Sequence, residues 1–506
     1  MLGMALHLRT LCRRFSRWFV SALGTRERLS VRVRFAIALL IFLLSFATRS
    51  LQAVDLSPLM YTMEQPFGGL TRGHDLRAQS ILSGEGLLGP YGIEPTDTIG
   101  LSRTPGYSIF LSGVYELLGR NYFDVQLVQN GLNSLAPALI FLIAGRVVSW
   151  RVGVASGLLA AFSHHLSHFS NFILPDTLCA LPILGAIYCL ALASSNHRTY
   201  SLHCLAGGLI GMSAWVRPQS MLLGVFAAGF LWLSSRDRLG ALKRGALLAV
   251  MAALIIAPIT LRNYLVYHEF VPVSLGLGVN LWEGIADASG DRFGAVAQDT
   301  EVAAQEAVLY NDPRYAGSNY TPDGIQRDRS RTAKSLSIIR QHPFWYTGVM
   351  LNRMGEMLKY SAHAPLVYRI SETRSLERTA PIRKEWRAMD TTSSSLAVGE
   401  SIFWMRPLVR PIQRLTKETM QPMIALGALA LFIAASRRAL LISLVPLYYL
   451  LFQSFVHTEF RFTVPMQYFM FVFAATGWVA ICSAIWQAVR SVLNKKTRGR
   501  QPLAAA

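Results

Sequence analysis

Long apolar runs recur along the chain, separated by short polar connectors: FAIALLIFLL (35–44), GVFAAGFLWL (224–233), ALLAVMAALIIAP (246–258) and FMFVFAATGWVAI (469–481). They are apolar all round rather than on one helical stripe, the pattern of helices packed against lipid or other helices. A hydrocarbon core takes about 20 mostly apolar residues per helix. With their flanks, the runs predict spans near 33–51, 124–145, 152–170, 177–194, 202–217, 219–234, 240–259, 420–435, 439–455 and 463–486. Segments 344–361 and 397–417 have the composition of further short or re-entrant helices. The expected fold class is an all-α polytopic membrane protein with about 10–12 transmembrane helices.

Charge sets the orientation. Arg9, Arg13, Arg14, Arg17, Arg26, Arg28, Arg32 and Arg34 precede the first span; Arg236, Arg238, Lys243 and Arg244 join two spans, as do Arg437 and Arg438. Arg490, Lys495, Lys496, Arg498 and Arg500 follow the last. Basic loops stay cytoplasmic, so these segments are expected inside. Two large segments then lie outside: a first loop, 52–123, rich in Asp and Glu, and a polar, partly helical segment, 260–419. The chain thus divides into a basic leader (1–34), a membrane module (35–259), the second outer segment (260–419), C-terminal helices (420–486) and a basic tail (487–506). The long basic leader argues against a cleaved signal peptide, although Leu51-Gln52-Ala53 has small-residue cleavage character.

Composition agrees. Only 15% of residues are charged, against about 25% in soluble domains. The net charge of +20 sits beside spans rather than in one patch, so no nucleic-acid partner is expected. The five cysteines, Cys12, Cys179, Cys189, Cys204 and Cys482, avoid the long polar loops and offer no disulfide framework.

Ionisable groups near membrane depth are costly and mark function. Six clusters fall at predicted outer span ends: Gly73-His74-Asp75-Leu76-Arg77, Arg103-Thr104-Pro105-Gly106-Tyr107, Leu174-Pro175-Asp176-Thr177, Trp215-Val216-Arg217-Pro218, Pro258-Ile259-Thr260-Leu261-Arg262-Asn263 and His457-Thr458-Glu459-Phe460-Arg461-Phe462. Two carboxylates and several guanidiniums on one side suit a base, an acidic partner and a clamp for phosphate, which Arg grips through a planar fork. Plainer roles compete: Arg near a span end snorkels to the interface, Asp176 is a favoured helix N-cap, and a loop Asp such as Asp75 commonly sits in a turn. His457 lacks the His/Glu companions of a metal site, and no Gly-rich phosphate loop, H-E-x-x-H or G-x-S-x-G occurs.

An early outer acid, Asp75, is followed by AQSILSGEGLLGPYG (78–92) and SRTPGYSIFLSGVYELLGRN (102–121). LPDTL (174–178), GGLIGMSAWVRPQSMLL (207–223), APITLRNYLVYHEFVPVSLGLGVNLWEG (257–284) and HTEFRFTVPMQYFMFVFAA (457–475) come next in order. This series resembles the GT-C membrane glycosyltransferases. The similar branch uses dolichyl- or polyprenyl-phosphate sugars, alongside protein O-mannosyltransferases, the lipid A aminoarabinose transferase and rhizobial core-oligosaccharide transferases. The resemblance implies a GT-C bundle and a polyprenyl-phosphate-sugar donor. It also implies an extracytoplasmic lipid, glycan or protein acceptor, and an active site outside the inner (plasma) membrane. It gives Asp75 and Asp176 catalytic roles and Arg217, Arg262 and Arg461 the donor phosphate, with His74, Arg103, Tyr107, His457 and Glu459 in support. A divalent cation is compatible with that chemistry but no ligand spacing demands it. The sequence departs from many members in having His74-Asp75 where they carry two adjacent acids, and Thr104-Pro105 where they carry two prolines. A lipid-linked glycan polymerase or ligase shares the donor chemistry. A transporter or flippase is the other competing class, although no matching halves or midplane ionisable groups support it.

Overall fold

The structure, a computed structural model, describes residues 29–60, 67–87, 98–194, 199–358, 406–433 and 440–498. It is helical, with no strand among the described residues. Helices α1 (Val31–Met60), α4 (Tyr122–Val147), α5 (Trp150–Ala161), α6 (His164–Ser170), α7 (Ala180–Ala193), α8 (Thr199–Val216), α9 (Leu223–Ser234), α10 (Arg238–Tyr267), α15 (Arg406–Ile433), α16 (Leu440–Gln453) and α17 (Val464–Arg498) form the bundle. The first outer segment carries α2 (Gly68–Leu82) and α3 (Gly106–Leu118); the second carries α11 (Leu277–Ser289), α12 (Asp299–Leu309), α13 (Gly324–Gln341) and α14 (Pro343–Leu358). Val31–Val54, Tyr122–Val147, Arg238–Tyr267 and Phe460–Arg490 are long and apolar enough to cross a membrane alone.

Small residues let the bundle close. A Cβ on Gly211 of α8 would come 2.6 Å from the Ile255 Cβ of α10, and one on Gly477 of α17 would come 2.6 Å from the Met423 carbonyl of α15. Such approaches are how helices associate where lipid supplies no hydrophobic drive.

The structure modifies several expectations. The span expected at 152–170 is two helices broken at Phe162-Ser163, where the Ser163 hydroxyl accepts from the Leu166 amide and caps α6. Among its described residues the first outer segment is mostly helical, and α1 runs on to Met60. The expected helix near 344–361 is α14; of 397–417, residues 397–405 lie outside the described residues and the rest opens α15. Asp176 is not an N-cap: α7 begins at Ala180 with Cys179 at that position.

Residues 171–179 are buried without being helical, so their backbone groups need partners inside the protein. Amides spaced along one face of α4 supply them. Gln126 donates to the Asn171 carbonyl (2.7 Å), and Gln129 to the Ser170 and Phe172 carbonyls (2.9 and 2.8 Å). Asn130 donates to the Asn171 side chain (2.8 Å) and Asn133 to the Thr177 hydroxyl (2.9 Å). This ladder holds the strap that presents Asp176.

The second outer segment is organised by buried charge. Glu306 of α12 accepts from Arg327 Nε (2.6 Å) and from Arg331 Nε and Nη2 (2.6 and 2.9 Å) of α13. Asp328 Oδ1 accepts the Gly276 and Gly278 amides (3.2 and 3.0 Å) and so caps α11 from α13. The segment docks on the bundle end through main-chain acceptors: Leu275 N to Leu101 O (2.8 Å), His457 N to Asn280 O (2.9 Å), Tyr346 Oη to Phe455 O (2.6 Å) and Arg353 Nη1 to Ser454 O (3.1 Å).

Candidate active site

Helix α2 turns two faces to its surroundings because successive side chains point about 100° apart. Gly73, His74 and Arg77 share one. Arg77 donates to the carbonyls of Arg103 (2.9 Å) and Ile99 (3.3 Å), fixing the turn before α3. At Gly73 a Cβ would lie 3.2 Å from Arg103 Nε, so the missing side chain admits that guanidinium. His74 meets the Ser108 hydroxyl at 3.4 Å and sets its ring edge-on to Tyr107, whose hydroxyl donates to Gln129 (2.7 Å). Burial, reinforced by Arg103, Arg77 and Arg217, drives the His74 imidazole well below its ordinary range and keeps it neutral.

Asp75 lies on the neighbouring face, where its two oxygens take four donors. Tyr115 Oη (2.8 Å) and Arg120 Nε (3.1 Å) reach Oδ1; Gln79 Nε2 (2.9 Å) and Arg120 Nη2 (2.7 Å) reach Oδ2. None of these partners belongs to the arginine cluster beside His74. The Asp75 side chain is 3% exposed and that of Arg120 is 56% exposed.

The cluster joins Arg77, Arg103, Arg217, Arg262 and Arg461. Arg103 feels the charges of Arg461 and Arg217, and Arg77 those of Arg103 and Arg262. Burial, then the two neighbouring guanidiniums, lower Arg77 to about 10. Arg217 pairs with Asp176 through Nη2 and lies 4.8 Å over the Phe462 ring. Arg461 is gripped by Glu459 and sits between the Phe67 (4.7 Å) and Phe462 (4.9 Å) rings. Arg262 Nη1 donates to Asn263 Oδ1 (2.8 Å). Three polar atoms here lack partners: Arg217 Nε, Arg262 Nη2 and Asp176 Oδ2 are buried and unsatisfied. Partnerless buried donors are costly, and an anion placed among them removes that cost. An open groove of about 480 Å³ lies between α9 and α10, lined by Met221, Val225, Ala253, Ala257, Thr260 and Tyr264.

On the far side, His457 Nδ1 lies 2.7 Å from Asp287 and Nε2 3.6 Å from Glu459. Burial opposes its charge, but these two carboxylates outweigh it and raise the imidazole to about 10. Burial likewise opposes the charge on Glu459, yet Arg461 and His457 hold its carboxyl well below the usual range. A histidine raised above its unfolded value stabilises fully below about pH 6.5 and loses that contribution as pH rises through the folded value. His457→Gln is therefore expected to be less stable than wild type at pH 6.5. The melting-temperature difference in detergent should shrink steadily towards pH 10; a constant difference would contradict the ion pair.

Among the described residues no group of three or more His, Cys, Asp or Glu is placed to hold a metal ion. The acids at the site are taken by cations: Asp176 by Arg217, Glu459 by Arg461, Asp75 by Arg120. This donor set does not fit a divalent cation.

Of the residues expected from sequence, His74, Arg103, Asp176, Arg217, His457, Glu459 and Arg461 come together. Arg262 joins through Arg77, Tyr107 lies behind His74, and Asp75 faces a separate cage one residue away. Sequence reasoning missed the parts played by Arg77, Arg120, Glu283 and Tyr320. Only Arg77, three residues after His74 on one helical face, carried a usable signal.

Residues 102–261 match the profile of the dolichyl-phosphate-mannose-protein mannosyltransferase family. A sequence search of curated proteins finds no match. Among solved structures, the archaeal oligosaccharyltransferase AglB from Archaeoglobus fulgidus, in complex with an inhibitory peptide and a dolichol-phosphate, aligns with TM-score 0.51 and 13% identity over 91% of this chain and 52% of that one. The same oligosaccharyltransferase in complex with Zn and sulfate aligns with TM-score 0.45 and 12% identity over 90% and 52%. ArnT from Cupriavidus metallidurans bound to undecaprenyl phosphate gives TM-score 0.36 and 14% identity over 89% and 77%. The chain spans about half the length of the AglB structures it matches, and at such identities the likeness is one of fold. The protein is a multi-pass membrane protein with the fold of the GT-C membrane glycosyltransferases, and its segment 102–261 matches the mannosyltransferase family profile.

Proposed function

We propose that the protein is a glycosyltransferase that moves a sugar from a polyprenyl-phosphate donor to an extracytoplasmic acceptor at the inner membrane. The observation that carries this reading is the arginine cluster with its partnerless buried donors, together with an apolar groove between α9 and α10 whose lining includes Leu261, the chain neighbour of Arg262. A lipid-linked phosphate satisfies both: its charge meets Arg103, Arg217, Arg262 and Arg461, and its tail follows α9 and α10. The acceptor hydroxyl attacks the anomeric carbon. The carbon–oxygen bond to phosphate breaks with its electron pair on the phosphate, and the centre inverts. Asp75 takes the hydroxyl proton, the acceptor replacing the half-exposed Arg120 as a donor to its carboxylate. The arginines stabilise charge growing on the departing phosphate. Asp176, whose Oδ2 is buried without a partner, orients the acceptor.

The direct test is transfer of labelled sugar from polyprenyl-phosphate donors by the purified protein, with envelope lipids and glycans as acceptors. Mass spectrometry of the product separates a single sugar from an oligosaccharide. No transfer from any such donor, together with no binding of undecaprenyl phosphate, would sink the reading. The groove makes its own prediction: Ala253→Trp should raise KM for a long-chain donor about tenfold, the loss of roughly 1.4 kcal/mol of lipid contact. A short-chain soluble donor should be used as before. Equal effects on both chain lengths would exclude the groove as the tail site.

A further inference from the structure

Glu283 of α11 is 8% exposed and has no hydrogen-bond partner among the described residues. It shares a helix face with Asp287, four residues on, and this face meets the 457–459 turn, where a Cβ on Gly284 would lie 2.9 Å from the His457 amide. Glu283 feels the charges of Asp299, Asp287, Glu459 and His457. Tyr320 feels the charges of both Arg103 and Glu283, and its hydroxyl is also without a hydrogen-bond partner among the described residues. Arg103 in turn feels Tyr320 and Asp299. Arg103, Tyr320, Glu283, Asp299, Glu459 and Arg461 thus form a ring of neighbours. Its arginine side is continuous with the phosphate cluster, and it opens to water at Asp299, which is exposed.

The charges on this ring are unevenly satisfied. Asp287 has His457, Glu459 has Arg461, and Asp299 accepts the Asn319 amide (3.1 Å). Only Glu283 is left over. A metal ion would need acids that these pairs already occupy, and an ammonium group would compete with His457 and Arg461 for them. Neutral hydroxyls compete with nothing and supply both donors and acceptors. We infer that the place framed by Arg103, Tyr320, Glu283 and Asp299 is the subsite for the sugar of the donor, with Glu283 the specificity-determining residue that hydrogen-bonds its ring hydroxyls. The inference rests on the lipid-phosphate reading of the arginine cluster and extends it from the phosphate to the group the phosphate carries. Burial, and then Asp299, push the Glu283 carboxyl well above its ordinary range, leaving a neutral acid that can both donate to and accept from a hydroxyl.

The test compares binding of undecaprenyl phosphate with that of undecaprenyl-phosphate glucose, galactose and mannose, for wild type, Glu283→Gln and Glu283→Ala in detergent. Wild type should bind at least one glycosylated lipid more tightly than the bare phosphate. Glu283→Ala should lose about tenfold or more of that preference while its affinity for undecaprenyl phosphate stays within twofold; the bare lipid thereby also reports that the variant is folded. Glu283→Gln, which keeps one donor and one acceptor, should fall between. A preference unchanged in both variants, or bare and glycosylated lipids weakened equally by Glu283→Gln, overturns the sugar subsite. Failure of wild type to bind undecaprenyl phosphate at all overturns the phosphate reading instead, and the two failures are read from different ligands.

Discussion

Asp75→Asn is expected to lower sugar transfer by about 10²–10⁴-fold, the range a positioned proton acceptor contributes, with membrane insertion and abundance near normal. The structure separates that loss from unfolding. Asparagine keeps the size of the side chain and an oxygen for Tyr115, and the ion pair it gives up is with an Arg120 side chain that is 56% exposed. Arg120 keeps access to water when the pair is lost, so the melting temperature should fall by less than in Arg217→Ala, which strands the 1% exposed Asp176. Undecaprenyl phosphate should bind the variant as it binds wild type, because the donors to Asp75 are not those of the arginine cluster. Full activity of Asp75→Asn in a transfer assay would remove Asp75 from the chemistry and leave it the task of anchoring α2 against α3.

The second large effect is at Arg217. Its removal withdraws a guanidinium from the departing phosphate, expected to lower turnover by about 10²–10³-fold, but it also strands Asp176, which is 1% exposed. Breaking a buried pair from one side costs about 3–5 kcal/mol, so Arg217→Ala alone confounds catalysis with stability. The double variant Arg217→Ala/Asp176→Asn removes the stranded charge. It should recover most of the melting temperature of wild type and none of the transfer. If transfer returned with stability, Arg217 would be a structural partner of Asp176 and not a phosphate ligand.

The bundle was legible in the sequence because length and continuous apolarity are what a bilayer demands, and every span drawn at 124–145 or 240–259 has its helix. The first outer segment was harder: α2 and α3 are short and their boundaries rest on tertiary contacts, such as Gly106, where a Cβ would lie 2.5 Å from the Trp215 carbonyl. The strap at 171–179 was hidden for a related reason. Gln126, Gln129, Asn130 and Asn133 read as isolated polar positions within a span, and only the fold shows that they serve one non-helical stretch. Most of the outer-end motifs read from the sequence are brought together by the fold, and they were legible since charge at membrane depth stands out. The orientation of each side chain was not recoverable. Adjacent residues His74 and Asp75 were grouped by proximity in the chain, yet helical geometry sends them to different partners. Glu283 gave no sign in the sequence, where it is one of several acids in a polar segment and its isolation appears only once its neighbours are known.

The way the second outer segment is docked has an implication for how this protein can diversify. Three of the groups that receive it are carbonyl oxygens, those of Leu101, Ser454 and Phe455, which every amino acid presents alike. Much of 277–358 can therefore change without altering these acceptors, whereas Asp287 and Gly284, which meet His457, are tied to the residues opposite them.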